Sequence, residues 1–369
     1  MAATLSLAAC GSEENEGPEL QGQQARLELS LRGTAMTKAT GTLPTDAGED
    51  KINRVAVAIF NGDNTVNVIQ EFEITNVAQP VTVNCTQGTG CTGIVVANAP
   101  TETFAGVTTK DEFSQKTVAL SQTQSSGSAD IQDAENLPMS GEIKVAGSNS
   151  FDLGATQVTA AAELSRLVAR VAITNIKTAF DPKGQYSAAT FKIKKVFLHN
   201  ATSTSTVGTG VPTTATPITG KEDAGNKYLQ NALADVDITS TAHTDSYWFY
   251  TCANPKEGVE SKNTRLVIYG EFDADGTGTT AAAENVYYPV VVNKFQSGTI
   301  INDGTNDITA ATDGKGDKTV ARNTRYNIKA TIKGKGVSNP DDDINPAVLE
   351  LTVSVAGWVL DISQDVTFN

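Results

Sequence analysis

Residues 348–368, VLELTVSVAGWVLDISQDVTF, carry the most regular pattern in the chain: Leu349, Leu351, Val353 and Val355 alternate with Glu350, Thr352 and Ser354. Successive side chains on an extended backbone point to opposite faces, so this period of two predicts a β-strand with one buried face. The same signal stands near the other end of the chain in RLELSLR (26–32), where Leu27, Leu29 and Leu31 oppose Glu28, Ser30 and Arg32. Between them lie further short apolar runs bounded by turn residues. INRVAVAIF (52–60) places Val55, Val57 and Ile59 on one face and is followed by the turn pair Asn61-Gly62. VTVNC (81–85), TGIVVANAP (92–100), NLPMSGEIKV (136–145), FKIKKVFLHNA (191–201), SYWFYTC (246–252), TRLVIYGEF (264–272), VYYPVVVNK (286–294) and TRYNIKATIKG (324–334) read the same way. The one helical candidate in the first half is TKDEFSQKTVAL (109–120). The fold class is therefore all-β with few short helices.

Length implies two domains, since domains commonly run roughly 100 to 200 residues and this chain has 369. A boundary is expected near residues 155–165, within FDLGATQVTAAAELSRLVARVAITNIKTAF (151–180), giving an N-terminal sandwich over 26–160 and a C-terminal one over 161–336. Arg166 and Arg170 flank Leu167, Val168 and Val171 there and are expected to be solvated surface charges. STSTVGTGVPTTATPITG (203–220) is expected to be a loop. GVSNPDDDINP (336–346) is expected to be a flexible linker, which would leave the terminal strand in 337–369 free to pack away from its own domain.

A net charge of −14 disfavours nucleic acid, whose phosphates need clustered Lys and Arg. No stretch approaches the ~20 apolar residues of a spanning helix. The start, MAATLSLAACGSEENEGPE (1–19), resembles a bacterial lipoprotein signal, with lipid carried on Cys10. Only nine residues precede that cysteine and none is basic, so the precursor is expected to begin further upstream. Residues 11–25, rich in Glu, Gln and Gly, read as a flexible tether. Cys85 and Cys91 sit in NCTQGTGC, where two glycines can turn the chain back, and the sequence leaves the bonded and the free state open. Cys252 is expected to be a small buried hydrophobe.

No catalytic constellation emerges. His199 and His243 lack metal-ligand partners at the required spacing, and no nucleophile elbow, Walker loop or H-E-x-x-H is present. Asp273, Asp275 and Gly276 in EFDADGTG lack the twelfth-position Glu of a calcium loop and read as a hairpin turn. No metal, cofactor or enzymatic activity is expected.

Taken in order, several landmarks resemble the major fimbrial subunits, or fimbrillins, of Bacteroidales, which polymerise into type V pili. These are the Cys10 lipobox, DKINRVAVAIFNG (50–62), LPMSGE (137–142), LSRLVARVAITNIK (164–177), VYYPVVVN (286–293), ARNTRYNIKATIKGKGVSNP (321–340) and the terminal strand with GWVL (357–360). The resemblance covers nearly the whole chain. It implies two transthyretin-like β-sandwich domains in tandem. It also implies export as an outer-membrane lipoprotein and activation by a trypsin-like protease that removes the first strand, here Leu27, Leu29 and Leu31 with their neighbours. Family spacing places the cut at Lys38-Ala39, with Arg32-Gly33 as the alternative, since the family usually shows Arg. The donor strand would be Leu349, Leu351, Val353, Val355 and Trp358, and the partners copies of this chain together with tip and anchor subunits. The terminal strand favours a shaft role on the cell surface, in support of adhesion or biofilm formation. The alternatives are a surface-anchored glycan- or protein-binding lipoprotein, a pilus anchor or tip subunit and, third, an extracellular hydrolase.

Overall fold

The computed structural model describes residues 22–33, 48–125, 127–208, 216–222, 225–255, 262–278, 283–294, 300–302, 307–309, 318–345 and 347–357. Its first half is one long, bent sheet. The hydrogen-bonded path runs Val66–Glu73, Arg54–Phe60, Gly88–Ala97, Met139–Lys144, Val158–Arg166, Gln24–Gly33, Val81–Thr86, with Phe151–Leu153 branching from Gly88–Ala97. The bend falls at Met139–Lys144, whose Ser140 pairs with Val96 on one side and Ser165 on the other. Gly141 is required there, because a Cβ would meet the Glu163 carbonyl oxygen at 2.2 Å. The two ends of the path then meet. Asn67 closes the seam by accepting from the Thr86 amide at 3.0 Å and donating to its carbonyl at 3.1 Å, as a neighbouring strand would. The curled sheet encloses Leu27, Leu29, Leu31, Val55, Val57, Ile59, Val83, Val95 and Ile143.

The second half is a two-sheet sandwich. One sheet runs Pro217–Ile218, Ala201–Thr202, Tyr247–Cys252, Val168–Thr178, Thr324–Ile332, Leu349–Gly357; the other runs Gln230–Ile238, Thr190–His199, Arg265–Asp273, Ala283–Val291. Phe191, Ile193, Leu198, Phe249, Ile268, Tyr288 and Ile328 fill the space between them.

The chain leaves the first sheet at Leu167, later than the boundary expected at 160, because Val158–Arg166 is the parallel partner of the first strand. Arg166 and Arg170 are not surface charges. Both are buried, facing Glu49 and Asp50 from the other half of the molecule: Arg170 Nη1 donates to Glu49 Oε1 at 2.8 Å, and Arg166 pairs with Asp50. Tyr250 also donates to Glu49 Oε1, at 2.7 Å. Burial beside that carboxylate raises the Tyr250 phenol well above its ordinary range, so it keeps the proton it donates. Burial lowers Arg166 to about 10, against the pull of Asp50 and Glu49, and it stays charged at neutral pH. Unpaired, either guanidinium would be costly in this interior; the acidic partners make the junction possible.

A second set of contacts joins the halves. Thr117–Ala119 pairs antiparallel with Thr204–Thr206, so part of the Thr-rich segment expected to be loop is strand. Gln132 brackets Tyr250, accepting from its amide at 2.8 Å and donating to its carbonyl at 3.0 Å. The expected helix over 109–120 shrinks to Lys110–Gln115, capped by Thr109, because the β-branched Thr117 and Val118 take the strand pairing instead. The linker is not loose either: residues 337–343 are tied to the second sandwich, and the terminal strand folds back onto its own domain.

Candidate functional site

The first strand, Gln24–Gly33, lies inside its sheet and not at an edge. It runs parallel to Val158–Arg166 from Leu27↔Val158 to Gly33↔Leu164, and antiparallel to Val81–Thr86 from Gln24↔Thr86 to Leu29↔Val81. It begins two residues before the expected Arg26, and Ala25 is already buried opposite Cys85. Leu27, Leu29 and Leu31 are 0%, 0% and 1% exposed, whereas Arg26 and Arg32 face solvent. The walls suit large guests: beside Leu29 and Leu31 the parallel neighbour carries only Ala160 and Ala162. Removing the strand would leave a slot with a small-residue wall and two unpaired strand edges, a template for another strand.

Cys85 and Cys91 both lie buried near this slot as free thiols, so the disulfide left open by the sequence is not formed in this structure. Burial pushes Cys85 up to about 11. Cys252 is buried in the second sandwich, as its apolar context implies, and is pushed up to about 12.

The terminal strand, Leu349–Gly357, ends the hydrogen-bonded path of its sheet among the described residues. It pairs antiparallel with Thr324–Ile332 in register from Ile332↔Leu349 to Thr324↔Gly357, including Ile328↔Val353 and Tyr326↔Val355. Leu349 is buried and Leu351 half-buried. Cys10, Lys38, Ala39 and Trp358 lie outside the described residues. Arg32 and Gly33 lie within the first strand, opposite Glu163 and Leu164.

Among the described residues no group of His, Cys, Asp and Glu could hold a metal ion. Asp273 accepts from the amides of Asp275, Gly276 and Gly278, and Asp275 accepts from Thr277; these bonds build the expected hairpin turn.

Sequence comparison supplies the family. The model of the Major fimbrial subunit protein (FimA) family matches residues 25–219, from the first strand through the domain junction. The chain belongs to the FimA family. It is 26% identical to the Major fimbrium subunit FimA type-2 of Porphyromonas gingivalis over 402 aligned residues, spanning 99% of this chain and 97% of that protein. It is 22% identical to the FimA type-5 subunit of the same organism, over 100% of this chain and 97% of that one. Its fold matches the crystal structure of a fimbrilin from P. gingivalis W83 with a TM-score of 0.66 at 19% identity, covering 92% of this chain and 99% of that one. The fimbrillin resemblance read from the motifs is thereby established, as is the all-β fold. FimA-family proteins are structural subunits of surface fimbriae and not enzymes.

Proposed function

We propose that this chain is a shaft subunit of a surface fimbrium, exported as a lipoprotein on Cys10, activated by removal of its first strand and polymerised by donor-strand exchange. The observation that carries this reading is the seating of Gln24–Gly33: an interior strand whose alternate leucines are fully buried, in a chain that carries a second strand of the same alternation at Leu349–Gly357. Cutting the chain between residue 33 and residue 48 frees the first strand and leaves the rest of the domain in place. Glu49 is held by Arg170 and Tyr250, and Asn98 holds the Asn53 amide and the Lys51 carbonyl. Lys38-Ala39 is the favoured bond. Cleavage at Arg32-Gly33 would have to open a segment already paired with Glu163 and Leu164.

In the polymer a neighbour's 348–369 segment fills the slot, with Leu349, Leu351, Val353, Val355 and Trp358 as its apolar positions. Tip and anchor subunits would complete the fimbrium, and adhesion or biofilm formation would result from the assembled fibre. The test is to treat the purified protein with a trypsin-like protease and follow it by electron microscopy and heat-resistant laddering on gels. Filaments that require both trimming and residues 348–369 are expected. Monomers under every trimming condition would refute the reading and favour a surface-anchored binder, for which the half-exposed pair Tyr269 and Tyr287, 4.8 Å between ring centroids, would be the first surface to test.

A further inference from the structure

The segment leading to the terminal strand is bound to the body of the second sandwich at successive points. Val337 exchanges both backbone hydrogen bonds with Tyr287, at 2.8 and 2.9 Å, adding a short pairing to the free side of Ala283–Val291. Gly336 permits this approach, since a Cβ would lie 2.5 Å from the Tyr287 carbonyl oxygen. Asp341 Oδ1 meets His199 Nε2 at 2.8 Å. The buried Arg265 donates from Nη1 to the Asp342 carbonyl at 2.8 Å and pairs through Nη2 with Asp343 at 3.0 Å, and Lys294 reaches the same carboxylate at 2.9 Å. Beyond Asp343 the ties change from charged to apolar and backbone contacts: Asn345 forms a local turn, accepting from the Ala347 and Val348 amides, Ile344 and Val348 pack on the core, the Val348 carbonyl accepts from the Lys333 amide at 2.7 Å, and the terminal strand is paired along one edge.

We infer that residues 337–343 are a fixed root that stays on its own subunit when the terminal strand leaves, and that Arg265 is the positioning residue. The root's purpose rests on the strand-exchange reading; its test does not. A planar, always-charged guanidinium holding a carbonyl and a carboxylate at once fixes the direction of the chain, which a single lysine contact would not. The consequence is a limit on reach. With the root held, six residue steps separate Asp343 from Leu349, so the start of the strand can lie no more than about 20 Å from the anchor. With the root free back to Lys333, sixteen steps would allow about 55 Å. The anchor therefore fixes how far away the neighbour's slot can open.

Hydrogen–deuterium exchange on the full-length monomer tests this without assembly. Leu349→Lys with Leu351→Lys should loosen the terminal strand, so that amides in 349–357 exchange at least about tenfold faster while 337–343 keep wild-type protection. Asp341→Asn with Asp343→Asn, at partly exposed positions, should do the reverse and speed exchange in 337–343 while leaving 324–332 slow. Loss of protection in 337–343 together with the strand would overturn the anchor, as would unchanged protection in the Asp341→Asn, Asp343→Asn protein. Failure of trimmed wild-type protein to polymerise would count against the exchange reading alone.

Discussion

Replacing Leu29 by alanine tests whether the first strand is a core strand of the uncut protein. Leu29 is fully buried, with Val81 on one side and Ala160 on the other. The substitution removes its isopropyl group from a site where the adjacent wall, Ala160 and Ala162, is too small to relax into the space. Buried leucines truncated to alanine lose ~2–5 kcal/mol, rising with the cavity that remains, so about 3 to 4 kcal/mol is expected. Guanidinium unfolding of the uncut chain should be tracked by far-ultraviolet circular dichroism, because both tryptophans, Trp248 and Trp358, lie in the second half. The midpoint should fall with little change in slope. Arg26→Ala, at an exposed position of the same strand, should stay within about 0.5 kcal/mol of wild type. A loss below about 1 kcal/mol at Leu29 would refute the interior seating of this strand. The same variant also probes activation. Once residues up to Lys38 are removed, its subunit is chemically identical to the trimmed wild type, and its filaments should be indistinguishable. A defect that persists after trimming would mean the strand had not left.

The junction, the thiols and the root each make a further outcome measurable. Glu49→Ala should cost about 3–5 kcal/mol in thermal melts by leaving Arg170 buried without its carboxylate, and Arg170→Met added to it should recover part of the loss; a Glu49→Ala effect no larger than a surface change would remove the junction from the stability of the fold. In uncut protein at pH 8, site-resolved iodoacetamide labelling should leave Cys85, Cys91 and Cys252 untouched, and trimming should expose Cys85, which faces Ala25 of the excised strand, while Cys252 stays silent. Labelling of Cys85 before trimming would contradict the closed slot. Burial, the largest single influence, raises the Asp341 carboxyl, but the hydrogen bond and charge of His199, with Asn200 and Arg265, together outweigh it, for a net lowering. A depressed carboxylate stabilises above its unfolded value and loses that contribution as pH falls through its folded one. Protection of 337–343, corrected for intrinsic exchange, should therefore be steady near neutrality and fall once pH drops below about 3.9; protection that first weakens above pH 6 would assign the latch to another group.

The strands are legible because a period of two survives in a single sequence. Leu27, Leu29 and Leu31, and Leu349 and Leu351, need nothing but their neighbours to be placed. Arg166 and Arg170 defeat a local reading because their partners, Glu49 and Asp50, lie more than a hundred residues away. A signal is nonetheless present: LVARVAI carries apolar residues at both parities, as a strand covered on both faces does, so an arginine within it has no solvent face to occupy. Arg54–Phe60 shows the same feature, with Val55, Val57 and Ile59 in the main core and Ala56, Ala58 and Phe60 in a second cluster with Phe104 and Phe113. In GVSNPDDDINP the prolines and aspartates do forbid a regular element, but irregular is not mobile. His199, Lys294 and Arg265, spread over distant elements, supply the opposing charges and donors, and no local rule could reveal them.

The two alternating strands are not equivalent, and their difference supplies a direction for the proposed exchange. In its own sheet the terminal strand is paired along one edge, over nine register positions with Thr324–Ile332. The slot offers two edges, with seven register positions along Val158–Arg166 and six along Val81–Thr86. A strand that moves from the first setting to the second loses one row of backbone bonds and gains two shorter rows. At about 1 kcal/mol net per bond the surplus is a few kcal/mol. Leu351, half-buried at home, would enter a position like that of Leu27 or Leu29 and be fully covered, adding roughly 1 kcal/mol. The uncut first strand already holds both edges that the proposed exchange needs, so a neighbour's strand would have nothing to gain before trimming. Under that proposal polymerisation would be blocked by occupancy and released by trimming, with no change of fold in either domain.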